Sequence, residues 1–217
     1  RPPRSTLDRS SAASDVYKRQ LLDHEMVKNP FVLFKSWLKM AEDDSQIDEP
    51  NAMTLSTVND KNEPRNRVVL MKMLKKNGIV FFTNYESKKG DAIKKNHNVC
   101  ISFFWPSLEK QIIINGICSK ISKKESDDYF YSRPLDSQVG AISSDQSKEI
   151  PSREYLEKKF NEIKKNSPNP NRPNNWGGFF IKIDEFEFWQ GRSNRLHDRI
   201  VFSKSNNDSW TVKRLSP

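Results

Sequence analysis

Residues 52–84 read "AMTLSTVNDKNEPRNRVVLMKMLKKNGIVFFTN". "AMTLSTV" (52–58) alternates apolar and polar, as a half-buried strand does. "NDKNEP" (59–64) is a turn, and "RNRVVLMKML" (65–74) reads as one long strand. "KKNG" (75–78) then closes a hairpin onto "IVFFTN" (79–84). The same pattern returns in "VCISFFW" (99–105) and "KQIIINGICSKI" (110–121), joined by "PSLE", and again near the C-terminus. There "WGGFFIKI" and "EFEFWQ" are two strands, and "RIVFSK" and "SWTVKRL" pair as a last hairpin. Short β-branched and aromatic runs between tight turns predict a barrel or sandwich.

Helices fall between these strands. Asn29 caps a helix opened by Pro30, with Phe31, Phe34, Trp37, Leu38 and Ala41 on one face. A polar helix is expected around 87–96. "SKKE" (122–125) is a capping box, Ser122 reaching forward and Glu125 back, and it opens a helix through Tyr129 and Tyr131. "RPLDSQVGAISSDQS" (133–147) breaks and restarts it. "SREYLEKKFNEIKKN" (152–166) is a further amphipathic helix, followed by the loop "SPNPNRPNN" (167–175). The expected fold class is α+β, mainly β, in a single domain over residues 21–217. Residues 1–20 lack apolar periodicity and read as a disordered or non-native segment.

Of the 217 residues, 35% are hydrophobic and 30% charged, with a formal net charge of +9. Residues 1–20 contribute +3 of this, leaving +6 on the remainder. That excess favours anionic partners, nucleic acid or phosphorylated small molecules, and is also what a solvated lysine-rich surface gives. No run approaches a membrane span, and no signal-peptide core is present. Cys100 and Cys118 lie in strand-like runs without a CxxC, so no metal site is expected and a reducing cytoplasm suits the chain.

Motifs for a protein nucleophile, a zinc protease, a P-loop or a dinucleotide fold are absent. His24 and His97 lie in polar segments; His197 sits between Arg195 and Arg199, just after an apolar run. Arg65 and Arg67 share a strand face, whereas Lys72, five on from Arg67, would face the other way on a regular strand. Lys88 and Lys89 flank a helix start, which is either a phosphate seat or a surface turn. Tyr129 and Arg133 are four apart, with Ser137 just beyond. The three could hold one phosphate; alternatively Tyr129 is core and Arg133 caps the helix.

"FEFWQGRSNRLHDR" (186–199) resembles the C-terminal signature of the pyridoxamine 5'-phosphate oxidases. "RVVLMK" (67–72), "FFTNYESKKG" (81–90), "LEKQIIING" (108–116), "YFYSRPLDSQVGA" (129–141), "QS" (146–147), "WGGF" (176–179) and the terminal "RLSP" are similar to that family's segments, in the same order. The resemblance runs from about Leu21 to Pro217. It implies an FMN-binding split β-barrel with peripheral helices. It further implies a homodimer with shared sites and FMN-dependent oxidation of pyridoxamine or pyridoxine 5'-phosphate to pyridoxal 5'-phosphate. O2 would be the acceptor and H2O2 the product. The flavin would carry the redox chemistry, so a protein nucleophile is not required. The implied FMN contacts are Arg67, Val68, Val69, Leu70, Met71, Lys72, Phe82, Thr83, Lys88 and Lys89, with Gln111, Gln146, Ser147, Trp189 and Arg199. Lys72, Tyr129, Arg133 and Ser137 would meet the substrate phosphate, and Arg195 and His197 the pyridine ring as catalytic residues. Phe82 stands where Tyr is common and Lys88 where Arg is frequent, and the family's basic N-terminal arm is not recognisable in residues 1–20. Two competing readings are a split-barrel flavoprotein with another substrate and a nucleic-acid-binding barrel; a yellow purified protein would remove the second.

Overall fold

The computed structural model describes residues 29–205 and 207–217; the segment 1–20 and His24 lie outside the described residues. The helices are α1 (Pro30–Glu42), α2 (Lys88–Lys95), α3 (Lys123–Ser132), α4 (Leu135–Ser143) and α5 (Arg153–Asn166). The strands begin with β1 (Ala52–Val58), β2 (Pro64–Leu70), β3 (Met73–Lys75), β4 (Gly78–Asn84) and β5 (Asn98–Trp105). They continue with β6 (Lys110–Lys120), β7 (Trp176–Gln190), β8 (Asp198–Lys204) and β9 (Trp210–Leu215). The fold is α+β and mainly β, as expected. By contacts the chain divides into two compact units, the first holding described residues 29–50, 103–113 and 185–217, the second 51–102 and 114–184.

In the first unit the side chain of Asn29 accepts the Phe31 N–H at 3.0 Å and Pro30 takes the first turn of α1, as the sequence predicts. Leu33, Phe34, Trp37 and Ala41 are buried, so the expected face turns inward at Phe34, Trp37 and Ala41 and extends to Leu33, while Phe31 and Leu38 are half-buried at its edge. Phe34 meets Phe103 edge-on at 5.4 Å and Trp37 meets Phe188 at 5.2 Å. Such pairs add roughly 0.5–1.5 kcal/mol each beyond the area they bury. From Glu185 onward β7 pairs antiparallel with β8, which pairs in turn with β9.

In the second unit β1 pairs with β2 from Ala52↔Leu70 to Val58↔Pro64, and β4 with β7 from Gly78↔Lys182 to Asn84↔Trp176. Ser122 forms the expected capping box with Glu125 at the start of α3. Ser87 caps α2.

Four local expectations are corrected. The strand expected over 65–74 breaks at Met71–Lys72, because the backbone changes partner there. Met71 N donates to Asn51 O at 2.9 Å and Lys72 N to Val80 O at 2.8 Å. The two strands expected at "WGGFFIKI" and "EFEFWQ" are one 15-residue strand, whose partner changes from β4 to β8 without a gap long enough to end it. Arg195, His197 and Arg199 are two apart, which on an extended segment would put all three on one face, but Ser193–Arg195 form a 3-10 turn, with Asn194 and Arg195 at φ 59° and 61°. Alternation therefore places no common face on those three side chains. Finally α3 stops at Ser132, so Arg133 is its C-cap in extended conformation rather than a helical partner of Tyr129.

Candidate active site

A cavity of about 780 Å³ opens in the second unit. Its lining joins β2 and Lys72, the Phe82–Thr83 end of β4, the start of α2, the α3–α4 junction, the Gln146–Ser147 loop and the first residue of β7. The partner change at Met71 explains how Lys72 joins Arg67 there, against the period-two expectation.

One group of donors surrounds Lys89. Its side chain is buried, and Nζ donates to Gln146 Oε1 at 2.7 Å, Thr83 Oγ1 at 3.0 Å and Ser87 Oγ at 3.2 Å. All three acceptors are neutral. Burial, with the nearby Arg67 charge second, pushes the ammonium down from 10.5 to about 8. Arg67 Nη1 donates to Leu55 O at 3.0 Å and Thr57 Oγ1 at 2.9 Å. Burial first, and Arg65 second, lower its pKa. Ser147 has φ 73°, and its Oγ accepts the Lys88 N–H at 3.3 Å. A non-glycine residue in that region costs of order 1–3 kcal/mol, which marks a position held by its surroundings.

A second group is aromatic and cationic. The Phe82 and Tyr129 rings stack at 3.7 Å, and Trp176 lies 5.6 Å from Phe82, inclined by 17°. Arg133 Cζ stands 4.8 Å from the Trp176 ring centroid. Its Nη1 is buried and has no hydrogen-bond partner. Burial lowers the Arg133 pKa and raises that of Tyr129, the leading cause in both. A buried guanidinium N–H without an acceptor costs a few kcal/mol at most sites, so this arrangement calls for an anion. Ser137 and Pro134 complete this wall.

Of the residues expected at the site, Arg67 to Leu70, Lys72, Phe82, Thr83, Lys88, Lys89, Tyr129, Arg133, Ser137, Gln146 and Ser147 line this cavity. The Met71 side chain is buried and is not among the lining. Gln111, Trp189, Arg195, His197 and Arg199 belong to the first unit. There the Trp189 and His197 rings lie 4.8 Å apart, and His197 Nδ1 accepts the Arg192 N–H at 3.0 Å. Asp198 holds this segment, pairing with Arg192 at 2.6 Å and Arg214 at 2.7 Å. Arg199 donates to Glu187 Oε1 at 2.7 Å and to Ser216 O at 3.0 Å.

Arg65, noted in the sequence beside Arg67 but not among the implied contacts, also lines the cavity, and sequence reasoning missed Asn66, Pro134 and Trp176 as lining residues. Trp176 had a signal. It precedes Gly177 and Gly178, where an added Cβ would meet the Tyr85 hydroxyl and Ser126 at the first, and Ile121 and Phe82 at the second. Glycines required by such close approach fix the strand start, and with it the indole.

Comparison with known proteins decides the family. Residues 40–167 match the family model "Pyridoxamine 5'-phosphate oxidase". The chain belongs to the pyridoxamine 5'-phosphate oxidase family. Residues 176–217 match that family's "Pyridoxine 5'-phosphate oxidase C-terminal dimerisation region". The pyridoxine/pyridoxamine 5'-phosphate oxidase of Christiangramia forsetii is 49% identical over 205 residues, 92% of this chain and 94% of the relative. That of Flavobacterium psychrophilum is 46% identical, covering 97% and 99%. Among solved structures, PhzG from Burkholderia lata in complex with tetrahydrophenazine-1-carboxylic acid superposes with a TM-score of 0.85 at 26% identity, covering 91% of this chain and 98% of that one. A pyridoxamine 5'-phosphate oxidase-related FMN-binding protein from Nostoc punctiforme gives a TM-score of 0.69 at 14% identity, covering 88% and 100%, and so speaks to the fold alone. The pyridoxamine 5'-phosphate oxidase fold expected from the sequence, a split β-barrel with peripheral helices, is the one found. The chain is accordingly an oxidoreductase. No helix among the described residues is long and apolar enough to cross a membrane.

Proposed function

We propose that this chain oxidises pyridoxamine 5'-phosphate or pyridoxine 5'-phosphate to pyridoxal 5'-phosphate, with FMN as cofactor and O2 as final acceptor. The balance is pyridoxamine 5'-phosphate, O2 and water giving pyridoxal 5'-phosphate, ammonia and H2O2; the alcohol gives the aldehyde and H2O2 without water or ammonia. The observation that carries this is the buried, unpartnered Arg133 Nη1 beside Tyr129 and Ser137, in a cavity that also holds Lys72 and Lys89.

The residues present fit a phosphate-bearing flavin. The lining has two donor groups on different elements, one for each phosphate the reaction brings. Arg67, Lys88, Lys89, Gln146 and Ser147 would hold the FMN phosphate, and Lys72, Tyr129, Arg133 and Ser137 the substrate phosphate. Val68 is 66% exposed beside these cations, an apolar surface suited to a flat ring. Bound FMN supplies the two-electron acceptor that no side chain of this chain provides. The protein's part is to bind and orient. Charge-assisted hydrogen bonds fix the substrate phosphate, and that remote grip sets the position of the reacting carbon. Arg195 and His197 would face the pyridine ring, and Gln111, Trp189 and Arg199 would complete the flavin site. The match to a dimerisation region supports a homodimer in which two subunits build each site. A reducing cytoplasm is the compartment we assign, supported by two cysteines not joined in a disulfide.

The test is peroxide release from the yellow holoenzyme with pyridoxamine 5'-phosphate against unphosphorylated pyridoxamine. A strong preference for the phosphorylated substrate is expected. Equal use of both would overturn the reading.

A further inference from the structure

From the contact between its ring and Arg133, we infer that Trp176 is a positioning residue for the substrate phosphate: its indole face, in place of an acidic side chain, orients the Arg133 guanidinium toward the cavity. The inference rests on the reading of this cavity given above.

Arg133 has two fixed ends and one open one. Its backbone N–H donates to Phe130 O at 3.3 Å, and its carbonyl accepts from Gln138 Nε2 at 2.8 Å. Its guanidinium lies 4.8 Å from the Trp176 ring centroid, and Nη1 has no acceptor. Among the described residues no carboxylate pairs with it; its titration is governed by burial and by Tyr129. A carboxylate there would occupy the planar fork and compete with a phosphate. An aromatic face attracts the cation through its π-system and leaves the in-plane N–H groups available.

Trp176 is in turn held rigidly. It is 6% exposed, and Phe130 meets it edge-on at 5.4 Å. Its carbonyl accepts from Arg172 Nη1. The Arg172 side chain is only 6% exposed, and its Nε donates to Asp127 on α3 at 2.6 Å. Gly178 N donates to Ser126 Oγ, also on α3, at 3.3 Å. The strand start that carries the indole is therefore tied to the helix whose C-cap is Arg133. Platform and cation share one support.

The test uses Trp176→Phe and Trp176→Leu with Arg133→Ala and the double variant Trp176→Leu/Arg133→Ala. Two quantities are read for the holoenzyme: equilibrium binding of pyridoxal 5'-phosphate by calorimetry, and the kcat/KM ratio of pyridoxamine 5'-phosphate to pyridoxamine. Trp176→Leu should weaken binding by about 2- to 30-fold, the range of a partly desolvated cation–π contact. It should lower the kcat/KM ratio by a similar factor, mainly through KM. Trp176→Phe should recover most of both, and Trp176→Leu should add little in the Arg133→Ala background. Full additivity in the double variant, or equal losses for both substrates, would overturn the inference. If Trp176→Leu does not fold, Trp176→Met takes its place in the same comparison, and binding and a ratio unchanged from wild type in that variant would overturn the inference. A wild-type enzyme without phosphate preference would remove the underlying reading of the cavity instead, and the inference with it.

Discussion

The Lys89 ammonium donates to the Gln146 side-chain oxygen at 2.7 Å, tying the first turn of α2 to a loop 57 residues further on. The cation is satisfied by neutral oxygens only, so its charge is solvated by the fold and left uncancelled. The groups facing it are Thr83, Ser87 and Gln146, and the positive charge of Arg67 adds to burial in lowering its pKa.

This gives a pH signature in stability. The Lys89 pKa is about 8 in the folded chain, against a usual 10.5. Between those values the unfolded chain binds more protons, so Lys89 makes stability rise with pH across that window. The difference in Tm between wild type and Lys89→Met should therefore shift in favour of wild type from pH 8 to pH 10.5. A difference that stays flat over that range would show that Lys89 is not buried as described.

A bound phosphate dianion beside Lys89 should restore its proton. Phosphate monoesters are already dianionic above about pH 6. FMN affinity, read by fluorescence quenching, should then be constant from pH 7 to 8 and fall above it, by up to about tenfold per pH unit. Lys89→Met should bind more weakly at pH 7 and lose this slope. An identical slope in the variant would assign the titration elsewhere.

Arg133→Ala should leave the protein yellow and raise KM for pyridoxamine 5'-phosphate. Loss of one charge-assisted hydrogen bond corresponds to about 1.5–3 kcal/mol, or roughly 10- to 150-fold. Steady-state kinetics and flavin absorbance after dialysis check this together. Loss of FMN instead of a KM effect would place Arg133 in the flavin site.

Arg195→Leu and Arg199→Leu should separate. Arg195 sits in the 3-10 turn at φ 61°, and its loss should cost oxidation rate while FMN is retained. Arg199 is tied to Glu187 and to the Ser216 carbonyl, and its loss should weaken FMN retention. Swapped phenotypes would reverse the assignment.

Where chemistry depended on local spacing, the sequence was informative. Ser122 with Glu125 announced α3, and Lys88 and Lys89 at the start of α2 marked one donor group. Where it depended on a change of partner, the sequence was silent. Lys72 reaches the cavity because Asn51 and Val80 compete for adjacent backbone groups, a contest no single stretch records. Tyr129 and Arg133 do line one cavity, yet not by helical spacing, because the helix ends between them. The turn at Asn194 and Arg195 carries no glycine to announce its positive φ; only Asn194 is of a type that tolerates that region.

The division of the chain has a consequence for synthesis. The second unit draws its residues from 51–102 and 114–184, whereas residues 185–217 belong to the first. On the ribosome the phosphate cavity can therefore mature first. Helix α1 emerges early, but the Phe186 and Phe188 rings that cover Phe31 and Trp37 are among the late residues to arrive. Until then its apolar stripe is exposed, the kind of surface that nascent-chain chaperones recognise and that aggregates when they are scarce. Slow or truncated translation near the 3' end of the message should thus harm solubility more than an equal interruption that spares β7.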